Sequence, residues 1–211
     1  MLFKKFNLFL LLILGNIIFA EKDYPNLLIY GDSISAGYGI HSDKQWSVNL
    51  QEIFNENGIN FKIINKSLSG ETTGGGLSRL ERLLEEFKPS YMLLELGGND
   101  ALRGYPPSMV KQNLIEMISI ARDRNIKVLL MQIKIPPNYG KRYQQSFESI
   151  YSDIAIDNQV ELMPFMLEEI ALKSELMFRD GIHPNERAQP LIAEYVYKSL
   201  MPLLNLSLIH I

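Results

Sequence analysis

Residues 26–40 read NLLIYGDSISAGYGI. The apolar run Leu27-Leu28-Ile29-Tyr30 breaks abruptly into Gly31-Asp32-Ser33. A short continuous apolar run that ends in turn residues fits a strand buried on both faces, as in a parallel sheet. Similar β-rich runs follow at 60–64 (NFKII), 91–96 (YMLLEL) and 126–133 (IKVLLMQI), with a weaker one at 159–163. Between them lie helical patterns. Residues 44–57 set Trp46, Leu50, Ile53 and Phe54 on one face, and 75–87 do the same with Leu77, Leu80, Leu83, Leu84 and Phe87. Further amphipathic stretches cover 107–124, 143–158 and 186–201.

Strands alternating with helices predict an α/β, three-layered fold: a parallel sheet of about five strands with right-handed crossover helices on both faces. In such a sheet ligands bind beyond the carboxyl ends of the strands, at the point where the strand order reverses. The polar clusters Gly31-Asp32-Ser33, Asn65–Gly70, Gly97–Asp100 and Ile135–Gly140 each follow a predicted strand, so all four gather on one rim. The DGIHPN stretch at 180–185 precedes the last helix and can return to the same edge.

Composition frames what that rim can do. The chain has 211 residues, 46% of them hydrophobic, and a formal charge of −3, which suits one globular core. The absence of a basic stripe argues against nucleic acid as a partner. MLFKK, the apolar run Phe6–Phe19 and Ile18-Phe19-Ala20 make residues 1–20 a secretory signal peptide. An uncleaved anchor is the competing reading, but the run is shorter than the ~20 residues of a spanning helix. Its removal takes Lys4 and Lys5 with it and leaves a charge of −5. The expected product is residues 21–211 as a single domain, periplasmic or secreted, monomeric, with no stable membrane span. The sequence holds no cysteine, which excludes disulfides, thiol nucleophiles and thiolate metal sites. The apolar tail LSLIHI at 206–211 fits no element.

Acyl transfer needs a hydroxyl, a base, a group that orients the base, and donors for the oxyanion. Ser33 is the hydroxyl candidate, although an ordinary helix-cap or turn serine reads the same way. Three histidines compete as base: His41 falls in a surface loop and His210 in the tail, whereas His183 is held out of helical geometry by Pro184. Asp180 can fold back onto the His183 ring, or equally make an Asx turn. Gly70 offers an unobstructed N–H and Asn99 an amide donor, both of which also suit plain turns. Asp32 and Asp100 read as loop braces that accept backbone N–H groups.

The blocks GDSISAGYG, NKSLSGET, GGND and DGIHPN together resemble the SGNH hydrolases, also called the GDSL esterase family, whose markers Ser, Gly, Asn and His fall here on Ser33, Gly70, Asn99 and His183. LLELGGNDALRGY, LLMQIKIPPNYGKRYQQSF and FRDGIHPNERAQPLIA are similar to its branch of bacterial multifunctional thioesterases and lysophospholipases, over roughly residues 24–203. The resemblance implies a flavodoxin-like three-layer α/β/α sandwich, a Ser33–His183–Asp180 triad, and an oxyanion hole of Ser33 N–H, Gly70 N–H and the Asn99 side chain. It also implies hydrolysis of acyl esters and thioesters (fatty acyl-CoA, lysophospholipid, aryl esters) with no metal and no cofactor. Ala101 stands where that branch tends to carry glycine. Ile34, Leu102, Tyr105, Ile135, Pro136 and Tyr139 on the rim loops are the acyl-pocket candidates. Alternatives are a carbohydrate O-deacetylase of the same family, a metal-dependent phosphoesterase, for which the chain has few histidines, and a catalytically silent envelope binding protein that keeps the fold.

Overall fold

The computed structural model describes residues 24–204; the expected signal peptide at 1–20, the LSLIHI tail and His210 lie outside the described residues. Five strands, β1 (Asn26–Gly31), β2 (Lys62–Asn65), β3 (Tyr91–Glu95), β4 (Lys127–Met131) and β5 (Glu161–Met163), pair in parallel in the order β2-β1-β3-β4-β5. The helices are α1 (Ser33–Ala36), α2 (Trp46–Glu56), α3 (Thr73–Phe87), α4 (Gly98–Leu102), α5 (Pro107–Arg122), α6 (Lys141–Asn158) and α7 (Gln189–Leu200). The sheet grows one way from β1 to β2 and the other way from β3 to β5. Right-handed crossovers therefore put α2 on one face and α3, α5 and α6 on the other. The packing agrees: α2 lies against α7, α3 against α5, and α5 against α6. This is the three-layer α/β/α sandwich with a flavodoxin-like strand order.

Coverage on both faces explains the continuous apolar strands. Leu27, Leu28, Ile29 and Tyr30 are all fully buried, as are Met92, Leu93 and Leu94 of β3 and Leu129, Leu130 and Met131 of β4. Trp46 anchors the first helical layer, its backbone N–H donating to Gln189 Oε1 at 3.0 Å and its indole to the Ile34 carbonyl at 3.3 Å.

The expected elements are all present with shifted ends. α3 starts at Thr73 rather than 75 because the Thr72 side chain caps it, accepting from Gly75 N. The stretch expected as one helix over 186–201 opens with a 3-10 turn at Glu186–Ala188, capped by the Asn185 side chain, before α7 begins. The GGND block, expected as a loop, enters the short α4; five residues are too few to show a helical period. Ala101 is fully buried inside α4.

The reversal of strand order falls between β1 and β3, so α1 and α4 leave the sheet side by side at the rim. Gly97 makes the second exit possible. Its φ is 120°, and a Cβ there would stand 2.2 Å from the hydroxyl of Tyr151, which is itself fully buried and donates to the Leu96 carbonyl at 2.9 Å. Gly97→Ala is expected to cost ~2 kcal/mol or more through combined strain and overlap, a fall of roughly 4–8 °C in the unfolding midpoint of a chain this size. An unchanged midpoint in a calorimetric scan would show that the exit from β3 does not depend on glycine.

Candidate active site

Asp32, not Ser33, is the cap of α1: its Oδ1 accepts from Ile34 N at 3.0 Å. The cap reading of Ser33 thus belongs to its neighbour, and Ser33 becomes the first helical residue. Its hydroxyl lines a groove while the residue as a whole is only 9% exposed. Its N–H, at the first position of a helix, has no intrahelical acceptor.

The segment after β5 carries His183 back to the rim. Met177 bridges to Pro184 in antiparallel fashion. Phe178 N donates to the His183 carbonyl at 2.8 Å, Asn185 N to the Leu176 carbonyl at 2.8 Å, and Gly181 takes φ 68° at the turn. Asp180 plays both parts open to it in the sequence. Oδ1 makes the Asx turn, accepting from Ile182 N at 2.9 Å and His183 N at 3.0 Å, while Oδ2 accepts from His183 Nδ1 at 2.8 Å. A carboxylate can only accept, so the ring proton sits on Nδ1 and Nε2 turns its lone pair to Ser33 Oγ, 2.8 Å away. Both ring nitrogens thus have a partner, Nδ1 as donor and Nε2 as acceptor. Tyr38 covers the imidazole with ring centroids 4.4 Å apart. His41, exposed, pairs with Asp43 on the surface instead.

The two residues expected as further donors follow β2 and β3. Lys66 N bonds the Ile29 carbonyl at 3.0 Å and Leu68 N the Gly31 carbonyl at 3.1 Å, which lays the loop after β2 beside the end of β1. Gly70 closes that loop with φ 80°, exposed, its carbonyl accepting from Arg103 Nη2 at 3.3 Å. Asn99, on α4, lines the groove and donates from Nδ2 to Asp32 Oδ2 at 3.0 Å. Asp100 is a brace as expected, accepting from Thr73 N and Oγ1 at 2.8 and 2.7 Å and so joining α4 to α3.

The groove has a volume of about 450 Å³, within the range of small-molecule sites. Ile34, Leu102, Ile135 and Pro136 line it as expected. Tyr105 and Tyr139, also expected there, do not. The Tyr139 hydroxyl is turned to the Leu102 carbonyl at 3.2 Å, and the Tyr105 carbonyl accepts from the Tyr143 hydroxyl. In their place Phe165, Leu167, Ala171 and Leu172 build a wall. They belong to the irregular segment after β5, where apolar residues have no period to reveal them. Lys134 and Glu168 also line the groove and are ion-paired.

Two carboxyl groups beside the serine titrate far from ordinary values. Burial pushes Asp32 up to about 6, although the Ile34 N–H, His183 and Asn99 favour its charge. Burial and the neighbouring Asp32 raise Glu95 well above the usual carboxyl range. Asp180 moves the other way. Its modest desolvation, the largest single influence, would raise it, but the combined hydrogen bonds from His183 and Ile182 bring it down to about 2.

Comparison with known proteins agrees with the geometry. Residues 29–190 match the model of the GDSL-like Lipase/Acylhydrolase family. The chain is 47% identical over 182 residues to an arylesterase of Vibrio mimicus, covering 86% of this chain and 91% of that protein. It is 43% identical over 197 residues to thioesterase 1/protease 1/lysophospholipase L1 of Escherichia coli (strain K12), covering 93% and 92%. The structure of the psychrotrophic esterase EstA from Pseudoalteromonas sp., inhibited by monoethylphosphonate, superposes with a TM-score of 0.84 at 43% identity, covering 85% of this chain and 98% of that one. The chain belongs to the GDSL-like lipase/acylhydrolase family.

The depressed Asp180 gives a signed expectation. A carboxyl held below its ordinary 3.8 contributes stability above that value and loses it as pH falls toward about 2. Denaturation curves of wild type and Asp180→Asn should therefore differ at pH 6 and converge as pH falls below ~4. A constant gap down to pH 2 would contradict the assignment.

Proposed function

We propose that the protein hydrolyses acyl esters and thioesters through an acyl-enzyme on Ser33, acting on fatty acyl thioesters, lysophospholipids and aryl esters in the periplasm or outside the cell. The observation that carries this reading is the continuous chain Ser33 Oγ, His183 Nε2, His183 Nδ1, Asp180 Oδ2, with both links at 2.8 Å. The activities named for the Vibrio mimicus and Escherichia coli relatives point the same way. Among the described residues no helix is long and apolar enough to cross a membrane.

As Oγ attacks the acyl carbon, His183 Nε2 takes its proton, and Asp180 stabilises the imidazolium without being protonated itself. Negative charge then builds on the carbonyl oxygen. Asn99 Nδ2 and the Ser33 N–H, both from residues that line the groove, serve it; Gly70, which stands outside the groove lining, is the third donor on the strength of the family resemblance. His183 returns the proton to the leaving thiol or alcohol. Water then follows the same course: it gives up a proton to His183 as it attacks the acyl carbon, and His183 passes that proton to Ser33 Oγ as the bond between Oγ and the acyl carbon breaks and the carboxylic acid leaves. The apolar wall of Ile34, Leu102, Ile135, Phe165, Leu167 and Leu172 suits an acyl chain, and the ionised Asp180 keeps the imidazole in the reactive tautomer.

A chain-length series tests the substrate half of the proposal. Octanoyl esters should be cleaved with a higher kcat/KM than acetyl esters; a clear preference for acetyl would turn the reading toward a carbohydrate O-deacetylase. Ser33→Ala should leave no acyl-enzyme, and Asn99→Ala should lower kcat by ~10²- to 10³-fold with a small change in KM. Full activity in Asn99→Ala would remove that amide from the hole.

A further inference from the structure

We propose that Asp32 is a positioning residue for this hydrolysis: it holds the Asn99 carboxamide with Nδ2 turned to the groove, so that the amide meets the oxyanion as a donor. The inference rests on the reading of Asn99 as an oxyanion donor, and adds what makes it one.

A carboxamide is two-faced. Turned by half a rotation, it presents Oδ1 in place of Nδ2, and an oxygen facing a developing oxyanion repels it. Something must therefore decide the orientation before substrate arrives. Asp32 is suited to do so because a carboxylate accepts and cannot donate. Its Oδ2 takes one N–H of Asn99 at 3.0 Å, and the trigonal nitrogen has a second N–H to offer the groove that both residues line. The other oxygen, Oδ1, is committed to Ile34 N at 3.0 Å. Each oxygen of Asp32 thus accepts one bond, and both are needed.

The surroundings are built around this carboxylate. Asp32 is only 4% exposed. Glu95, the last residue of β3, lies beneath it, with Oε2 accepting from Asp32 N at 3.3 Å and from Ser35 Oγ at 2.7 Å. Two glycines make the room. A Cβ at Gly98 would stand 3.0 Å from Asp32 Oδ2, and one at Gly31 would stand 2.3 Å from Glu95 Oε2. The charged and titratable groups acting on Asp32 are Glu95 from β3, Asp100 from α4 and His183 from the loop before α7.

Keeping a charge there costs stability. The folded state holds the Asp32 proton up to about pH 6 against an ordinary 3.8. Between these values the native chain binds more protons than the unfolded one, and stability falls as pH rises. Above pH 6 the wild type carries the whole penalty. Asp32→Asn relieves it, at the loss of one accepting oxygen. A residue kept for the fold would lower stability when replaced; one kept for orientation would lower turnover and leave stability unharmed.

The test is a double-mutant cycle on an aryl ester at pH 8: wild type, Asp32→Asn, Asn99→Ala and the double variant, each with its unfolding midpoint. An asparagine at 32 has one oxygen for two N–H groups, so Asp32→Asn should lower kcat by ~10-fold or more with KM within ~2-fold, and without a lower midpoint. In the Asn99→Ala background the same substitution should cost less than ~2-fold, because its effect runs through the amide. An equal loss in both backgrounds, or a lower midpoint with kcat retained, overturns the proposal. Full activity in Asn99→Ala also overturns it, and shows that the oxyanion reading failed first. Should Asp32→Asn not fold, Gly98→Ala presses on Oδ2 without touching the charge and replaces it in the same cycle. It should lower kcat only where Asn99 is present, and an equal loss in both backgrounds counts against the proposal.

Discussion

The hydrogen bond between Ser33 Oγ and His183 Nε2 joins residues 150 positions apart in the chain, and the site depends on it. A serine hydroxyl is a poor nucleophile until a base stands within reach of its proton. The two ends of that contact are fixed by independent devices. Asp32 caps α1 and thereby sets the direction in which Ser33 leaves β1. The Met177–Pro184 bridge and the turn at Gly181 set the direction from which His183 arrives. The reversal of strand order between β1 and β3 opens the crevice in which they meet.

Two aspartates flank this contact in opposite environments, and their chemistry separates accordingly. Asp180 sits at the surface, receives three hydrogen bonds and stays ionised far into acid. It is suited to hold a tautomer and to face an imidazolium. Asp32 is buried over a second carboxyl, Glu95, and gives up its charge at about pH 6. Such a group is costly to keep ionised, and its two oxygens are wholly engaged by Ile34 and Asn99. Environment assigns the two roles, since the side chains are identical.

Much of this was legible in the sequence, for physical reasons. Strands covered on both faces leave unbroken apolar runs, so β1, β3 and β4 stood out, and each was followed by a short polar block carrying one part of the site. Ser33 and Asn99 could be read as neighbours because polar residues at strand ends in a parallel sheet share one rim, and Asp180 and His183 because the stretch before the last helix can return to that edge. The partner of the Asn99 amide was less visible: Gly31-Asp32 reads as an ordinary turn, and only the fold brings Glu95 and Asn99 to it. The groove was the least legible part. Phe165, Leu167 and Leu172 lie in a segment without period, and Tyr105 and Tyr139 fall outside the groove, the Tyr139 hydroxyl donating to the Leu102 carbonyl of α4 and the Tyr105 carbonyl accepting from the Tyr143 hydroxyl of α6.

The proposed hydrolysis rests on Ser33 as the attacking residue, with its oxyanion received by donors from three separate segments. A crystal structure of the protein after reaction with a p-nitrophenyl alkylphosphonate tests it most directly. Phosphorus is expected to be bonded to Ser33 Oγ, with its free oxygen about 3 Å from Ser33 N, Gly70 N and Asn99 Nδ2. A phosphonate attached to another residue, or one whose oxygen points to solvent away from these three nitrogens, would contradict it.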